Sequence, residues 1–322
     1  MTEAKGAESR HGVTLTNLDQ PLFEGAEATK RDLVEYLDGV ADRILLVLED
    51  RPLSVIRVHR DQEAFMQKNV PKYTPEWVPT VTLWAESSKR EVSYALCNDR
   101  RTLLWFANQR AVEYHPTLTR VDRADCTTHL VLDLDPPADD ADGFGKAVHA
   151  AKLVRQALIE VGLEGAVKTS GAKGVHVFVP VDAPAVDVAA ATRAVAARAE
   201  RLDPALATTA YVVDDREGKV FLDSTRSGGA TVVAAYSPRQ RPGTPVSFPV
   251  PWDELDQVAP ADFTVRTAAG LLGGTDPWAA LMPAPQPLDA GLVEEGHTIP
   301  VARVQAMHEG KRRARARLSG GS

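Results

Sequence analysis

Asp133-Leu134-Asp135 closes an apolar run that starts at Thr127 and stops at Pro136-Pro137. Side chains alternate along a strand, so both carboxylates leave one face while Leu132 and Leu134 leave the other. Carboxylates held side by side repel unless a cation sits between them. Asp before proline also initiates turns, so the motif alone fits a strand end as well as a metal site. Its place behind apolar β-formers, where an uncompensated carboxylate is costly, favours the cation. Oxygen-only ligands suit magnesium or manganese better than zinc.

A second motif runs Ser170-Gly171-Ala172-Lys173-Gly174-Val175-His176. Gly171 and Gly174 allow a tight turn whose amides can face an anion, with Lys173 as a mobile charge and Ser170 as a hydroxyl. A plain hairpin turn with a surface lysine reads equally well from these residues. It is not a Walker loop, because no helix follows and the Gly-Lys spacing differs. Asp223 ends the apolar stretch Val220 to Asp223 and makes a possible third carboxylate. Asp214 and Asp215 compete with it, but they lie beside Arg216 and Glu217 in a polar turn. Arg226, Arg239 and Arg241 follow, and guanidinium groups suit triphosphate oxygens; Arg241 reads as a solvated loop residue. His115 and Arg57 are open between packing and binding.

These residues need a framework. With 322 residues and 44% apolar content, the chain can bury one large core or two smaller ones. No run approaches membrane-spanning length, no signal-peptide core opens the chain, and Cys97 and Cys126 make neither a disulfide framework nor a zinc knuckle. A cytoplasmic protein with two reduced thiols is expected. The formal net charge of −7 argues against a non-specific nucleic-acid coat. Arg303 and the Lys311 to Arg317 cluster, against Glu309, form a basic tail over 301–322 that either holds DNA or is merely solvated.

Residues 1–13 read as a flexible arm. Thr29 with Asp32 is a capping-box start, and Leu33, Leu37, Val40, Ile44, Leu45 and Leu48 predict one helix ended by Arg51-Pro52. Leu53 to Val58 is a predicted strand, residues 71–79 a proline-punctuated loop, and residues 80–104 two short strands. Strand 127–135, a helix from Phe144 to Val161 capped by Gly162, strand 167–169, turn 170–174, strand 175–181 and a helix from Asp187 to Leu202 follow. Strands are predicted over 211–214, 220–223 and 230–236, with an extended loop over 238–251. The mixed order predicts an α+β fold with mixed sheets.

The segments LDLDPP, KTSGAKGVHVFVPV and KVFLDS, with AAYSPRQRPGTPV behind them, resemble the bacterial branch of the archaeo-eukaryotic primases. Within it the chain is most like the polymerase domain of the end-joining ligase D and its stand-alone relatives, from NLDQPLF at Asn17 through FTVRTAAGLLGGTDPWAAL ending at Leu281. The resemblance implies a catalytic domain over 14–300, with an N-terminal part to 125 and a metal and nucleotide part over 126–285, and no room for a ligase or nuclease module. It implies a template-directed nucleotidyltransferase that fills short DNA gaps with ribo- or deoxyribonucleotides. Asp133, Asp135 and Asp223 would hold two ions, Mg2+ or Mn2+. Arg57, His115, Ser170, Lys173, His176, Arg226 and Arg239 would line the nucleotide. Asn17, Lys30, Phe65 and Lys68 would meet the DNA. Implied partners are gapped or broken DNA with a 5′-phosphate, nucleoside triphosphates, a DNA ligase and an end-binding protein at the bacterial nucleoid. Three positions depart from the family: Ile56 and Gln20 replace basic residues, and Met66 replaces the second of two adjacent phenylalanines. A non-catalytic gap-binding module and a metal phosphohydrolase are the competing readings.

Overall fold

The computed structural model describes residues 8–59, 62–85 and 89–301. β1 (Glu8–Arg10) and β2 (Val13–Leu15) pair antiparallel as a hairpin. His11 and Gly12 between them both have positive φ, 47° and 75°, as a tight two-residue hairpin turn requires. Val13 and Leu15 are buried, which corrects the expectation of a flexible arm reaching residue 13.

Thr29 caps α1 (Lys30–Gly39) reciprocally with Asp32: Asp32 N donates to Thr29 Oγ1 (3.2 Å) and Thr29 N to Asp32 Oδ2 (2.6 Å). The single helix expected to Leu48 is broken at Val40, and α2 (Ala41–Leu48) starts afresh. Arg100 supports the break by donating Nη1 to Asp38 O at 2.9 Å, near the end of α1 where carbonyls lack helical partners. β3 (Pro52–His59), β4 (Gln62–Gln67), β5 (Thr80–Ala85) and β6 (Arg90–Leu96) follow. Beyond Leu96 the predicted strand gives way to α3 (Arg100–Asn108), capped by Asp99. Leu103 to Ala107 are all buried, and a run that is apolar on every side has no period to tell helix from strand. β7 (Ala111–Pro116) then returns along β3.

β8 (Cys126–Asp135), α4 (Gly143–Ile159), β9 (Ala166–Thr169), β10 (Val175–Pro184) and α5 (Ala185–Leu202) keep the predicted order. Gly162, at φ 71°, turns the chain so that Leu163 N reaches back to Leu158 O at 2.9 Å. The rest comprises β11 (Ala207–Thr208), β12 (Val220–Asp223), β13 (Pro249–Val250), α6 (Ala268–Leu272), α7 (Pro277–Leu281) and α8 (Ala290–Thr298). Two predicted strands do not form. Residues 211–214 bury no face, Val213 being 71% exposed, and turn through a 3-10 segment at Val213–Asp215. Residues 230–236 run irregularly beside β7, with Ala234 N on Tyr114 O (2.9 Å) and one isolated bridge, Thr117 to Thr231.

The chain divides into two contact-dense units that interleave in sequence. One gathers the segment through Cys126, Ala166–Lys173 and Gly229–Met282; the other gathers Thr127–Gly165, Gly174–Gly228 and the segment from Pro283. The first unit contains an antiparallel sheet ordered β4-β3-β6-β5 with β7 also on β3, plus the β9–β13 pair. The second has strands ordered β11-β12-β8-β10, the β11–β12 pair parallel and β12–β8 antiparallel. Its helices α4 and α5 pack on one another and on β10, with α8 on α5. Val188, Ala191, Val195 and Ala199 supply the buried stripe of α5 at helical spacing. The architecture is the mixed α+β class, but its two units are not the consecutive parts 14–125 and 126–285. The 301–322 tail lies outside the described residues after Val301.

Candidate active site

Two clusters of functional side chains stand out, one in each unit. In the second unit, β8 and β12 pair with Asp133 opposite Asp223 and Leu134 opposite Leu222. Opposed side chains on one face of an antiparallel pair are near neighbours, so the register itself makes the acidic pair. Asp133 is 8% exposed and Asp223 5%. The 3-10 turn Arg226–Gly228 brings Arg226 back over both: Nη2 lies 3.0 Å from Asp133 Oδ2, and Nε lies 3.2 Å from Asp223 Oδ2. Ser227 fixes this turn by accepting Val131 N at 2.9 Å. Thr225 donates its amide (2.8 Å) and hydroxyl (2.6 Å) to Asp223 Oδ1. His176, buried on β10, sits with Nε2 3.0 Å from Asp133 Oδ1.

Asp135 shares the face two residues on. Its tip meets solvent, yet desolvation, followed by the charge of Asp133, lifts its carboxyl to about 7. The centre thus resists full ionisation, and its three carboxylates offer only oxygen donors. That chemistry fits magnesium or manganese. Among the described residues no three His, Cys, Asp or Glu side chains are arranged to hold an ion; Asp133 and Asp223 are closed on Arg226 instead.

In the first unit the Ser170–Lys173 turn leaves β9. Gly171 has φ 68°, and a Cβ there would lie 2.6 Å from Arg239 Cγ and 2.9 Å from Ser247 N, so only glycine lets the turn close on Arg239. Arg239 donates Nη1 to Ser170 O. Its Nε forms an ion pair with Glu113 Oε2 at 3.1 Å, the same oxygen that meets His115 Nε2 at 2.8 Å. Burial opposes the ionisation of Glu113, but the His115 hydrogen bond, Arg239 and the Gln240 amide outweigh it and lower its carboxyl to about 2. For His115, burial is the largest effect and outweighs the Glu113 bond, so its pKa falls below the ordinary histidine range. Beneath the turn, Lys168 is fully buried and donates Nζ to Ser247 Oγ. Lys173 is exposed.

The expected site residues therefore gather in part. Asp133, Asp135, Asp223, Arg226 and His176 form one cluster, and His115, Ser170 and Arg239 another. Arg57 belongs to neither. It is buried, with Nη1 on Gln67 Oε1 and Tyr73 Oη (2.8 Å each), Nε on Gln109 O (2.9 Å) and its guanidinium 5.8 Å from the Phe65 ring centroid. Lys30, 3% exposed, gives Nζ to Thr16 O and Asn108 Oδ1 at 2.6 Å each, and desolvation lowers its pKa to about 8. Asn17, Phe65, Lys68 and Arg241 are on the surface. Glu113, Lys168 and Ser247 were not among the expected residues. Glu113 and Lys168 carried a readable signal, being charged positions inside the apolar strands Ala111–Pro116 and Ala166–Thr169.

A family model described as "LigD, primase-polymerase domain" matches residues 29–278. The chain belongs to this family. It is 34% identical over 267 residues to the multifunctional non-homologous end joining DNA repair protein LigD of Mycobacterium tuberculosis, covering 79% of this chain and 35% of that protein. It is 32% identical over 262 residues to the bifunctional non-homologous end joining protein LigD of Bacillus subtilis, covering 79% and 41%. The chain thus spans about two fifths or less of the length of these curated relatives. A solved structure, the polymerase domain from Mycobacterium tuberculosis ligase D in complex with DNA, superposes with a TM-score of 0.74 at 32% identity, over 84% of this chain and 97% of that one. As a LigD-type primase-polymerase, the chain is a DNA-directed nucleotidyltransferase of a metal-dependent family. No described helix is long and apolar enough to cross a membrane.

Proposed function

We propose that this LigD-type enzyme extends DNA 3′ ends across short gaps and breaks, adding ribo- or deoxyribonucleotides opposite a template. The observation that carries the proposal is the in-register pair Asp133 and Asp223 beside a reluctantly ionised Asp135. These three would hold two divalent ions, magnesium or manganese. Such ions, when bound, lower the pKa of the attacking hydroxyl and neutralise the departing pyrophosphate. The chain's own groups do the rest. Ser170, Lys173 and Arg239 take the triphosphate, as a glycine turn with charge-assisted donors suits phosphate oxygens. Arg226, drawn off the carboxylates, is a further cation for the leaving group. In the reaction the 3′ oxygen bonds to the α-phosphorus, its proton is lost to solvent, and the bond to the β-phosphate breaks.

Asn17 and Lys30 would receive a downstream 5′-phosphate, and Phe65 and Lys68 the template. That anchor must draw Lys30 from Thr16 O and Asn108 Oδ1, so it ranks behind the chemistry. A DNA ligase and an end-binding protein at the bacterial nucleoid are the partners this role requires.

Gapped DNA with labelled nucleotides of both sugars, with and without a 5′-phosphate downstream, tests the proposal. Metal-dependent extension is expected, and loss of at least about a thousandfold in an Asp133→Ala, Asp135→Ala variant. Equal extension by that variant rejects the carboxylate assignment. DNA binding without incorporation under either metal leaves a non-catalytic gap-binding module instead.

A further inference from the structure

Glu113 and His115 lie two residues apart on β7, so both side chains leave the same face of the strand. Glu113 is 3% exposed, and a buried carboxylate is tolerated only where its oxygens are engaged. Here Oε1 accepts Gln240 N at 2.8 Å, while Oε2 faces His115 Nε2 at 2.8 Å and Arg239 Nε at 3.1 Å. Arg239 reaches on to Ser170 O with Nη1. One carboxylate therefore ties β7, the 239–240 segment and the glycine turn together, without itself standing among the groups assigned to nucleotide or metal.

We infer that Glu113 is a positioning residue for the triphosphate cradle: it fixes the His115 ring with its proton on Nε2 and holds Arg239 across the Ser170–Gly171 turn. The inference rests on the proposed reading of that turn as the triphosphate site. Two consequences follow from hydrogen-bond chemistry. Neutral His115 with Nε2–H keeps Nδ1 as an acceptor, which suits a hydroxyl donor and not a phosphate oxygen. Phosphate charge then falls to Arg239 and Lys173. Arg239 is already oriented by an ion pair and a carbonyl, so little rotamer freedom is lost when an anion arrives.

The tautomer is read directly from long-range proton–nitrogen spectra of the intact protein labelled in its histidines. The proton is expected on His115 Nε2 before any nucleotide is added. A proton on Nδ1 overturns the inference without recourse to a variant. Titration with GTP and magnesium, and steady-state extension of gapped DNA, are then compared for wild type and Glu113→Gln. Nucleotide affinity is expected to fall about tenfold, the scale of one lost charge-assisted contact, with KM rising and DNA affinity unchanged. The His115 nitrogen pattern is expected to change in the same variant. Unchanged affinity together with an unchanged nitrogen pattern overturns the inference. In a His115→Gln, Arg239→Gln background, Glu113→Gln is expected to cost nothing more; a further tenfold loss there means that Glu113 acts by another route. Should wild type bind no GTP, the triphosphate reading fails, while the tautomer measurement still decides what Glu113 does to His115. Should Glu113→Gln not fold, that same measurement decides alone.

Discussion

Arg226 does for the acidic centre what a metal ion is expected to do: it places positive charge between Asp133 and Asp223. A guanidinium offers the right charge, but its hydrogen bonds are directional and its Nε and Nη2 fix which oxygens it meets. Removing it takes the shared cation from two nearly buried carboxylates, leaving Thr225 on Asp223 and His176 on Asp133. Arg226→Gln should therefore lower the stability of metal-free protein by roughly 2 kcal/mol, less than for a fully buried pair because Arg226 is a third exposed. Millimolar manganese should restore more stability to Arg226→Gln than it adds to wild type, since the ion replaces the lost charge. Thermal melting with and without manganese measures both effects, and equal metal-induced shifts would refute the role given to Arg226. Much of this residue scale was legible in the sequence, because an Asp-x-Asp on an apolar strand states which face its carboxylates share. The apolar strand before Asp223 also favoured it over Asp214 and Asp215 as the third carboxylate. That it stands directly opposite Asp133 is a matter of register between β12 and β8, which sequence spacing leaves open.

At the scale of elements, the glycine turn shows the clearest dependence of chemistry on backbone. Gly171 holds φ 68° with Arg239 Cγ and Ser247 N where a Cβ would stand, so two requirements for glycine coincide. Gly171→Ala should destabilise the protein by roughly 2–3 kcal/mol, combining left-handed strain with displacement of Arg239. It should also weaken triphosphate binding. Urea denaturation and nucleotide titration report the two losses, and a stable, tight-binding Gly171→Ala would show that the turn does not depend on this closure. The capping box of α1 and the Gly162 cap of α4 were readable because caps are local. The break at Val40 was not, since Arg100 supports it from far along the chain. Helix α3 was missed because its buried run has no polar face. Ile56 on β3 is the cross-strand partner of Met66 on β4, an apolar pair in the strands that carry Arg57 and Phe65.

For the whole molecule, a net charge of −7 sets the terms of DNA binding. An acidic chain gains little from long-range attraction, so its grip depends on local cations. Truncation after Val301 removes Arg303 and the Lys311 to Arg317 cluster. If that tail meets phosphates, truncation should weaken DNA binding and flatten its salt dependence, while nucleotide affinity stays unchanged. Fluorescence anisotropy across a salt series measures this, and an unaltered slope would mark the tail as merely solvated. The interleaving of the two units was invisible beforehand. Residues 166–173 and 229–282 join the first unit through contacts made far from their neighbours in sequence. What the sequence determined alone was local or strongly patterned: the strand bearing Asp133 and Asp135, the glycine turn before His176, the run of elements from β8 through α5 with β12, and a family likeness carried by ordered motifs. What only the tertiary structure decided was pairing. It set Asp223 opposite Asp133, closed Arg226 over both, and joined Glu113 to His115 and Arg239. Such pairings are fixed by the register and packing of segments distant in the chain, and no local period or spacing encodes them.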